Sequence, residues 1–187
     1  MSHLIAIVGP TAVGKSALAL RLAQVFGGEI VSADSRQVYR YMDIGTAKPS
    51  PEERALISYH LIDVVDPDQD FTLAIYQEMA MRVIEDIQRR GKLALLVGGS
   101  GLYVRAVIGG LRIPQVAPDA ELRRNLMDKA VREGYMVLYE ELENADPAAA
   151  ERIDPRNVRR ESGRLRFFVL LGSPSPSFRV FRPLFAL

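Results

Sequence analysis

The sequence predicts an α/β fold, a parallel sheet flanked by helices, with a helical insertion or subdomain after about residue 115. Three observations indicate this fold. A short apolar run at the start of the chain leads directly into a glycine-rich loop, and apolar runs then alternate with amphipathic segments up to about residue 110. Beyond Pro118 the pattern is helical only. Alternating strands and helices favour a parallel sheet, because each parallel connection must cross a face of the sheet.

The glycine-rich loop has the spacing of a phosphate-binding loop. Its residues are Gly9, Pro10, Thr11, Ala12, Val13, Gly14, Lys15 and Ser16. In such loops backbone N–H groups surround phosphate oxygens, while the lysine and the hydroxyl reach the terminal phosphates and a magnesium ion. The start of the following helix adds positive charge. The loop therefore predicts a P-loop NTPase-like core that binds a diphosphate or a nucleotide such as ATP. The alternative is a plain strand-to-helix turn.

The first strand, loop, helix and second strand place an acidic side chain near this loop. Residues 4–8 predict a buried parallel strand, and residues 16–26 predict a helix. The apolar residues at helical spacing are Leu18, Leu22 and Val25. Residues 29–33 predict the second strand, which ends at Asp34. Because ligands bind beyond the carboxyl ends of parallel strands, we expect Asp34 and Lys15 to face the same crevice.

A loop, a short helix and a third strand follow. Residues 39–51 are polar and contain glycine and proline, which predicts a long functional loop. Pro51 opens a short helix, because proline is favoured at the first helical position. Residues 59–65 predict the third strand.

The next helix and strand complete the predicted sheet. Thr72 can cap a helix that runs to Arg90 and ends at Gly91. One stripe of this helix is apolar and is expected to pack in the core: Ile75, Tyr76, Met79, Val83, Ile84 and Ile87. Residues 92–97 predict a fourth, fully apolar strand, and residues 102–108 predict a helix after the intervening glycines.

The last third of the chain divides into helices and a tail. Helices are predicted over residues 119–132, 135–143 and 147 to about 160, and residues 172–177 are typical of a loop. From residue 161 onward the amphipathic order is lost. The expected organisation is a P-loop α/β core at 1–115, a helical segment at 116–160 and an atypical tail, aberrant or disordered, at 161–187.

Composition limits the class of protein and hints at a partner. The chain has no cysteine, which excludes disulfides and cysteine-ligated zinc and favours an intracellular location. It shows no signal peptide and no stretch long enough to span a membrane, so we expect a cytoplasmic protein without a membrane partner. Residues 155–187 contain seven arginines and one acidic residue, Glu161. This basic end indicates nucleic-acid contact or, equally, a solvated helix face.

The kind of phosphate chemistry depends on acidic residues near the loop. Enzymes that cleave a γ-phosphate usually carry an aspartate at the end of a buried strand, but residues 92–97 lead into Gly98 instead. Asp63 or Asp66 could serve in its place. Asp34 could accept a proton from an attacking group, or it could simply anchor the following turn. His60 is expected to be a structural histidine.

Several motifs together resemble the tRNA dimethylallyltransferase family, also called tRNA isopentenyltransferase. The resemblance covers residues 4–160 and includes the P-loop. The other motifs are residues 34–39 (Asp-Ser-Arg-Gln-Val-Tyr), 43–49 (Asp-Ile-Gly-Thr-Ala-Lys-Pro), 59–63 (Tyr-His-Leu-Ile-Asp), 98–103 (Gly-Gly-Ser-Gly-Leu-Tyr) and 154–160 (Asp-Pro-Arg-Asn-Val-Arg-Arg). Residues 43–49 are far more specific than the P-loop.

The resemblance implies transfer of a dimethylallyl group from dimethylallyl diphosphate to the exocyclic amine of the adenine next to the anticodon of tRNA. It implies that Asp34 accepts the amine proton, that Thr11 and Lys15 act at the diphosphate, and that Ser16 is near a magnesium ion. It also implies tRNA contacts for Asp34, Ser35, Arg36, Gln37, Ser100, Arg123, Arg156, Asn157, Val158, Arg159 and Arg160. The partners would be the anticodon stem-loop and dimethylallyl diphosphate, bound by a monomer.

The chain departs from the family pattern near its end. Family members continue well past this length, and their Asn-Val-Arg-Arg segment leads into a helix rich in alanine, leucine and glutamate. Residues 161–166 interrupt that helix here. We therefore interpret the tail as frameshifted or otherwise aberrant, on a truncated enzyme or an incomplete gene model. Two alternatives stay open: a small-molecule kinase on the same P-loop, and an inactive relic that only binds diphosphate.

Overall fold

A computed structural model describes residues 3–111, 113 and 119–171, which form two compact units, one up to Ile113 and one from Asp119 onward. The strands of the first unit are β1 Leu4–Val8, β2 Gly28–Ser32, β3 Tyr59–His60 and β4 Leu93–Gly98. Its helices are α1 Lys15–Phe26, α2 Pro51–Leu56, α3 Leu73–Arg89 and α4 Gly101–Ile108.

The four strands form one parallel sheet in the order β1-β4-β2-β3. Val8 lies opposite Gly98, and Ser32 lies opposite Val97. The carboxyl ends of β1, β4 and β2 therefore meet at one edge of the sheet, which is where ligands bind in such folds. A parallel sheet flanked by helices confirms the predicted fold class.

Strand β3 is much shorter than predicted. The sequence predicts a strand over residues 59–65, but only Tyr59–His60 pairs with β2, and Val65 forms an isolated parallel bridge with Tyr39. Leu61 and Asp63 adopt positive φ angles of 61° and 56°, which an extended strand does not permit. The apolar run therefore continues as a tight turn rather than as a strand.

The two faces of the sheet carry different helices, because alternate residues of a strand point to opposite faces. On one face Val31 and Leu96 pack with α3 and α4, and the buried core there includes Tyr76 and Ile84. On the other face Ile30, Leu95 and Val97 pack against Ala19 and Ala23 of α1. Each face of β2 and β4 is therefore covered.

Strand β1 is more exposed than its apolar sequence predicts. Ile5 is 40% exposed and Val8 is 56% exposed. Within the described part of the chain, β1 pairs with β4 along one edge only. The prediction that residues 4–8 form a buried strand is therefore wrong for these side chains.

Helix α1 buries its small residues rather than its large ones. Leu18 and Val25, two of the apolar residues at helical spacing, are 51% and 73% exposed. Ala19 and Ala23 are fully buried instead, because the helix lies close against β2 and β4. Helical spacing alone does not decide which face is buried when both faces contain apolar residues.

Helix α3 follows its sequence closely. The hydroxyl of Thr72 accepts a hydrogen bond from the backbone N–H of Ile75, as an N-cap should. Tyr76, Ile84 and Ile87 of the predicted stripe are fully buried, whereas Ile75 at its margin is 40% exposed. The predicted cap and the core role of most of the stripe are confirmed.

A buried carboxylate joins three strands and α3 at the amino end of the sheet. Glu29 of β2 accepts hydrogen bonds from Arg90 at 2.5 and 2.9 Å and from Lys92 at 2.8 Å, and it lies 2.7 Å from His60 Nε2. The bonds from Arg90, opposed by burial and supported by Lys92 and His60, hold the pKa of Glu29 well below its usual range. His60 therefore has the structural role expected of it.

The second unit is helical. Its helices are α5 Ala120–Glu133, α6 Met136–Ala145, α7 Pro147–Ala150 and α8 Val158–Leu171. Leu126, Leu138, Leu142 and Leu165 belong to its buried core. Asp119 caps α5 by accepting a hydrogen bond from the N–H of Leu122 at 2.8 Å.

Two predictions about this unit are wrong. The helix predicted over residues 147–160 ends at Ala150 and a new helix begins at Val158. Pro155 explains the break, since proline lacks an N–H and disfavours helical backbone in the residue before it. Residues 161–171, assigned to the tail, continue α8, and Leu165 is buried. The remaining tail lies outside the described residues, as does the predicted loop at 172–177.

No helix in the described ranges is both long enough and apolar enough to cross a lipid bilayer.

Candidate functional site

A cavity of about 290 Å³ opens at the carboxyl edge of the sheet in the first unit. Five P-loop residues line it: Thr11, Ala12, Gly14, Lys15 and Ser16. Asp34, Gln37, Ser32 and Gly98 line it from the ends of β2 and β4. Asp34 and Lys15 therefore share one crevice, as the order of strands and loops predicts. Apolar side chains complete the wall: Ile30, Tyr59, Ile62 and Val97.

The P-loop has the backbone that phosphate binding requires. Ala12 and Gly14 have φ angles of 66° and 84°, so the chain curls through the left-handed region twice. Gly14 caps α1 without a side-chain hydrogen bond, and the first turn of α1 carries no acidic residue. Its N–H groups and positive dipole end are therefore directed to the cavity rather than to a side chain.

The lysine of the loop folds over its own turn. Lys15 Nζ donates a 2.5 Å hydrogen bond to the carbonyl oxygen of Pro10, while its side chain also lines the cavity. The ammonium group is thus held over the loop, where a terminal phosphate would lie in a P-loop.

The two carboxylate oxygens of Asp34 have different surroundings: one accepts a hydrogen bond from the backbone, and the other has no protein partner in the described ranges. Its Oδ1 accepts a 2.8 Å hydrogen bond from the backbone N–H of Arg36, which anchors the turn after β2. No protein hydrogen bond to Oδ2 occurs within the described ranges. The anchoring role considered from the sequence is therefore present, and it uses only one of the two oxygens.

Strand β4 fixes the position of Asp34 through a close backbone approach. Ala33 N–H donates to Val97 O at 2.7 Å, and Ser100 N–H donates to Ala33 O at 3.1 Å. A Cβ atom on Gly98 would lie 2.1 Å from the Ala33 oxygen. The glycine at the end of β4 is therefore required by packing. The sequence indicates Gly98 as part of the motif at 98–103 and as the place of a missing aspartate, but not this contact.

Four residues for which the family resemblance implies tRNA contacts, Ser35, Arg36, Gln37 and Ser100, lie near Asp34, but only one of them lines the cavity. Ser100 Oγ accepts a 2.9 Å hydrogen bond from the N–H of Ser35 and lies 3.2 Å from Ser35 Oγ. Gln37 lines the cavity, whereas Ser35 and Arg36 are exposed at its margin. These four residues therefore form one continuous surface beside the cavity.

Two tyrosines support this surface from below. Tyr76 and Tyr103 stack with ring centroids 3.7 Å apart, and Tyr76 Oη donates to Ser32 O at 3.1 Å. Burial, with the nearby Tyr39 and the charge of Asp34, raises the pKa of Tyr103 to about 12. Tyr103 therefore stays neutral beneath the site. Tyr76 was predicted only as a core residue, and its contact with Ser32 had no sequence signal.

The site offers few protein ligands for a metal ion. No group of three or more metal-ligating side chains occurs in the part of the chain that the structure describes. Ser16 contributes one hydroxyl to the cavity. This set fits Mg²⁺, which usually keeps several waters and takes its other ligands from substrate phosphates.

The second unit contains the remaining family-implied residues. Asn157 caps α8, since its Oδ1 accepts from the N–H of Arg160 at 3.2 Å, and Val158 packs against the helical core. Arg156 pairs with Asp154 at 3.1 Å and is exposed. Arg159 and Arg160 are exposed in the first turn of α8.

The charge at this helix start is opposite to what helix stability favours. Cations near a helix N-terminus meet the positive end of the dipole. Arg159 and Arg160 nevertheless occupy that position with exposed side chains, beside the buried Glu161. Arg123 is exposed on α5, whose first turn carries the acidic residue Glu121. The two arginines therefore do not stabilise the start of α8 through the helix dipole.

Comparison with known proteins gives a consistent family. A family model described as IPP transferase matches residues 37–180. The chain is 57% identical over 183 residues to a tRNA dimethylallyltransferase from Roseiflexus castenholzii, covering 98% of this chain and 60% of the relative. It is 55% identical over 174 residues to one from Chloroflexus aurantiacus, covering 93% and 59%.

The solved structures to which this chain is similar belong to the same class of enzyme as these relatives. A eukaryotic dimethylallyltransferase acting on tRNA superposes with a TM-score of 0.75 at 30% identity, covering 96% of this chain and 46% of that one. A tRNA isopentenylpyrophosphate transferase from Bacillus halodurans gives 0.59 at 44% identity, covering 93% and 57%. The chain spans about 60% of the length of the curated relatives it matches.

Proposed function

Because the chain belongs to the IPP transferase family, we propose that it transfers a dimethylallyl group from dimethylallyl diphosphate to tRNA. The acceptor is the exocyclic amine of the adenine on the 3′ side of the anticodon. The observation that carries the proposal is the shared cavity, in which a P-loop and an unoccupied carboxylate oxygen of Asp34 line the same walls.

The P-loop suits a diphosphate that departs. When the allylic carbon–oxygen bond breaks, positive charge grows on carbon and negative charge grows on the diphosphate. Lys15, the N–H groups of the loop and the start of α1 supply positive charge where that negative charge develops. No phosphate is transferred, so no aspartate is needed after β4.

Asp34 suits the role of general base. The lone pair of an adenine amine is delocalised into the ring, so attack on carbon is helped when a base accepts the proton. As the new nitrogen–carbon bond forms, the amine proton passes to Asp34 Oδ2, while Oδ1 keeps its bond to Arg36 N–H. The adenine reaches the cavity by leaving its stack, as in other base-modifying enzymes.

Magnesium is the metal that this site fits. Ser16 and the diphosphate oxygens would hold it, together with waters. When bound, the ion would neutralise charge on the diphosphate. Thr11 lines the same part of the cavity and would contact the diphosphate end of the substrate.

The exposed arginines of the second unit suit the tRNA backbone. Arg123, Arg159 and Arg160 carry guanidinium groups accessible to phosphates. Contacts of this kind position RNA without reading its sequence.

Substitution of Asp34 by asparagine tests the general base. Asparagine keeps an Oδ1 that can accept from Arg36 N–H but cannot accept the amine proton. With labelled dimethylallyl diphosphate, magnesium and an anticodon stem-loop, Asp34→Asn should lose roughly 10²- to 10⁴-fold in transfer rate. Asp66→Asn, which removes a half-exposed carboxylate paired with Arg40, is the matched control and should stay active.

The same assay separates the alternatives. Full activity in Asp34→Asn would assign Asp34 to turn anchoring alone. Label that binds without transfer would indicate an inactive diphosphate-binding relic. ATP-dependent phosphorylation of a small acceptor, without prenyl transfer, would overturn the proposal in favour of a kinase.

A further inference from the structure

The most specific family motif, residues 43–49, has no role in the mechanism described above. Lys48 of this motif is 4% exposed at its side chain, so its charge lies in the interior of the loop. Its three N–H donors reach three acceptors: Tyr39 O at 2.7 Å, Asp43 Oδ1 at 2.8 Å and Asp63 Oδ1 at 2.6 Å. The ammonium group is therefore saturated by the protein and does not face a ligand.

The effect of Lys48 is to hold the motif in an unusual backbone shape. Gly45 and Ala47 have φ angles of 75° and 49°. The left-handed region is unfavourable for alanine, which has a Cβ atom, so the backbone at Ala47 is strained. Thr46 is buried, and its hydroxyl donates to Met42 O at 2.7 Å. This shape turns the carbonyl groups of Thr46 and Ala47 towards Gln37.

Those carbonyls fix the side-chain amide of Gln37. Nε2 donates to Thr46 O at 3.1 Å and to Ala47 O at 2.9 Å, so both of its hydrogens are used. Oε1 accepts from Ser32 Oγ at 2.9 Å. Because backbone carbonyls only accept, the amide can have one orientation. Oε1 can therefore accept one further hydrogen bond, and Gln37 is one of the residues that line the cavity.

We propose that Lys48 is a positioning residue that fixes Gln37, through the Asp43–Pro49 loop, as a hydrogen-bond acceptor for the adenine amine. An amine has two hydrogens. Asp34 takes the one that is lost in the reaction, and Gln37 Oε1 holds the other, which fixes the direction of the nitrogen lone pair. This inference rests on the proposed function, because it takes an adenine as the occupant of the cavity.

The first experiment tests the positioning and needs no RNA. In a chain labelled with ¹⁵N-glutamine, the Gln37 side-chain protons should exchange with water at least tenfold more slowly than those of exposed Gln24, since only the former are held by two carbonyls. Gln37→Ala identifies the signal. Lys48→Met should abolish the difference, and Asp43→Asn should reduce it.

Asp43→Asn keeps this test valid if Lys48→Met does not fold, because the Asp43 side chain is 71% exposed. Lys92→Met is the matched control: it removes a lysine bonded to a buried carboxylate at the opposite end of the sheet. Slow exchange retained in Lys48→Met, or in Asp43→Asn if Lys48→Met does not fold, would overturn the positioning role. Equal loss in Lys92→Met would also overturn it, since any destabilisation would then have the same effect.

The second experiment tests the acceptor. Two stem-loops are compared, one with adenine at the target position and one with purine, which lacks the amine. The preference is the ratio of the binding affinities for the adenine and purine stem-loops. In Gln37→Ala and in Lys48→Met this ratio should be about fivefold lower than in the wild type, which corresponds to one neutral hydrogen bond. Lys92→Met should keep the wild-type preference.

The outcomes separate this inference from the proposed function. An unchanged preference in Gln37→Ala, with adenine still favoured by the wild type, would overturn the acceptor role and leave the transferase proposal intact. Wild-type binding of neither stem-loop would overturn both the proposed function and the acceptor role, while the exchange experiment would still decide whether Lys48 fixes the amide.

Discussion

Glu161 lies fully buried in the second unit, and neither of its carboxylate oxygens has a hydrogen-bond partner among the described residues. Val158 and Leu165, three and four residues away on the same side of α8, belong to the apolar core. Burial, with a contribution from the charge of Asp154, raises the pKa of Glu161 to about 7. A carboxylate at this helix position is therefore unfavourable. The family model matches residues 37–180, so the expectation that the family pattern is lost from residue 161 onward is wrong.

Substitution Glu161→Gln should remove a pH dependence of stability. The pKa of Glu161 in the folded chain, about 7, lies above its ordinary value of 4.5. The folded state therefore binds the proton more tightly, and stability falls as pH rises from about 4.5 to about 7. At about 1.4 kcal/mol per pH unit, the loss is roughly 3 kcal/mol. Urea unfolding between about pH 4 and pH 8 measures it.

The control for this prediction is Glu143→Gln, which neutralises an exposed carboxylate on α6. This variant should keep the wild-type pH profile. If Glu161→Gln shows the same fall in stability as the wild type, the buried carboxylate is not the titrating group.

At the scale of the elements, strands β2 and β4 meet more closely at their carboxyl ends than side chains permit. Gly98 approaches the Ala33 carbonyl closely, and this places the turn that contains Asp34 directly beside β4. Strand β4 in turn pairs with β1, the strand that leads into the P-loop. The position of the candidate base is therefore set by strand packing, with Ser100 and Tyr76 as supports.

Substitution Gly98→Ala should separate these strands. The added Cβ would lie 2.1 Å from Ala33 O, so the backbone must shift, and we expect a loss of at least about 3 kcal/mol in unfolding free energy. Gly101→Ala is the matched control, because its Cβ would meet nothing within 4 Å and alanine favours the helix. Denaturant unfolding measures both. Equal stability of the two variants would contradict the argument.

The sequence predicts those elements whose pattern and boundaries are local. Helix α3 follows from one apolar stripe and the Thr72 cap, and the P-loop follows from its spacing. The exposure of β1 depends on which strands pair, and the burial of Glu161 depends on a helix that continues through a sequence without clear periodicity. Neither is encoded in a short window of sequence.

The same distinction holds in the candidate site. The P-loop, Asp34 and Gln37 were predicted from motifs, and the cavity contains them. The saturation of Lys48 and the orientation of the Gln37 amide depend on contacts between residues 37, 46, 47 and 63, which become neighbours only through the fold. Motif resemblance indicated that residues 43–49 matter, but not what they do.

At the scale of the whole molecule, charge is unevenly distributed along the chain. Residues 1–154 contain 17 lysines and arginines against 22 aspartates and glutamates, whereas residues 155–187 contain seven arginines and one glutamate. In the described part of that basic end, Arg156, Arg159 and Arg160 are exposed. The described part of the second unit, residues 119–171, is nearly neutral, with ten lysines and arginines against eleven aspartates and glutamates. The exposed positive charge that the proposed RNA contact would use is therefore local to the start of α8.

The double substitution Arg159→Ala with Arg160→Ala should weaken stem-loop binding and make it less dependent on salt. Each arginine–phosphate pair that is removed should reduce the slope of log affinity against log salt concentration by about 0.7 for single-stranded RNA, so the double variant should lose up to about 1.4. Arg82→Ala is the control, since Arg82 is 76% exposed on α3 and pairs with Glu78. Titrations at several salt concentrations measure the slope. An unchanged slope in the double variant would exclude these arginines from the RNA interface.

The exposed edge of β1 has an energetic consequence for ligand binding. In the described ranges β4 is the only strand that pairs with β1, although Leu4 and Ile7 also pack against the core, and β1 leads directly into the P-loop. Because β1 has one paired edge where β4 and β2 have two, we expect it to open at a lower free energy than they do, and the loop would lose its shape with it. A diphosphate that binds only when β1 is paired with β4 shifts this equilibrium towards the paired state. Its measured binding free energy is therefore the intrinsic binding free energy reduced by the free energy of pairing β1.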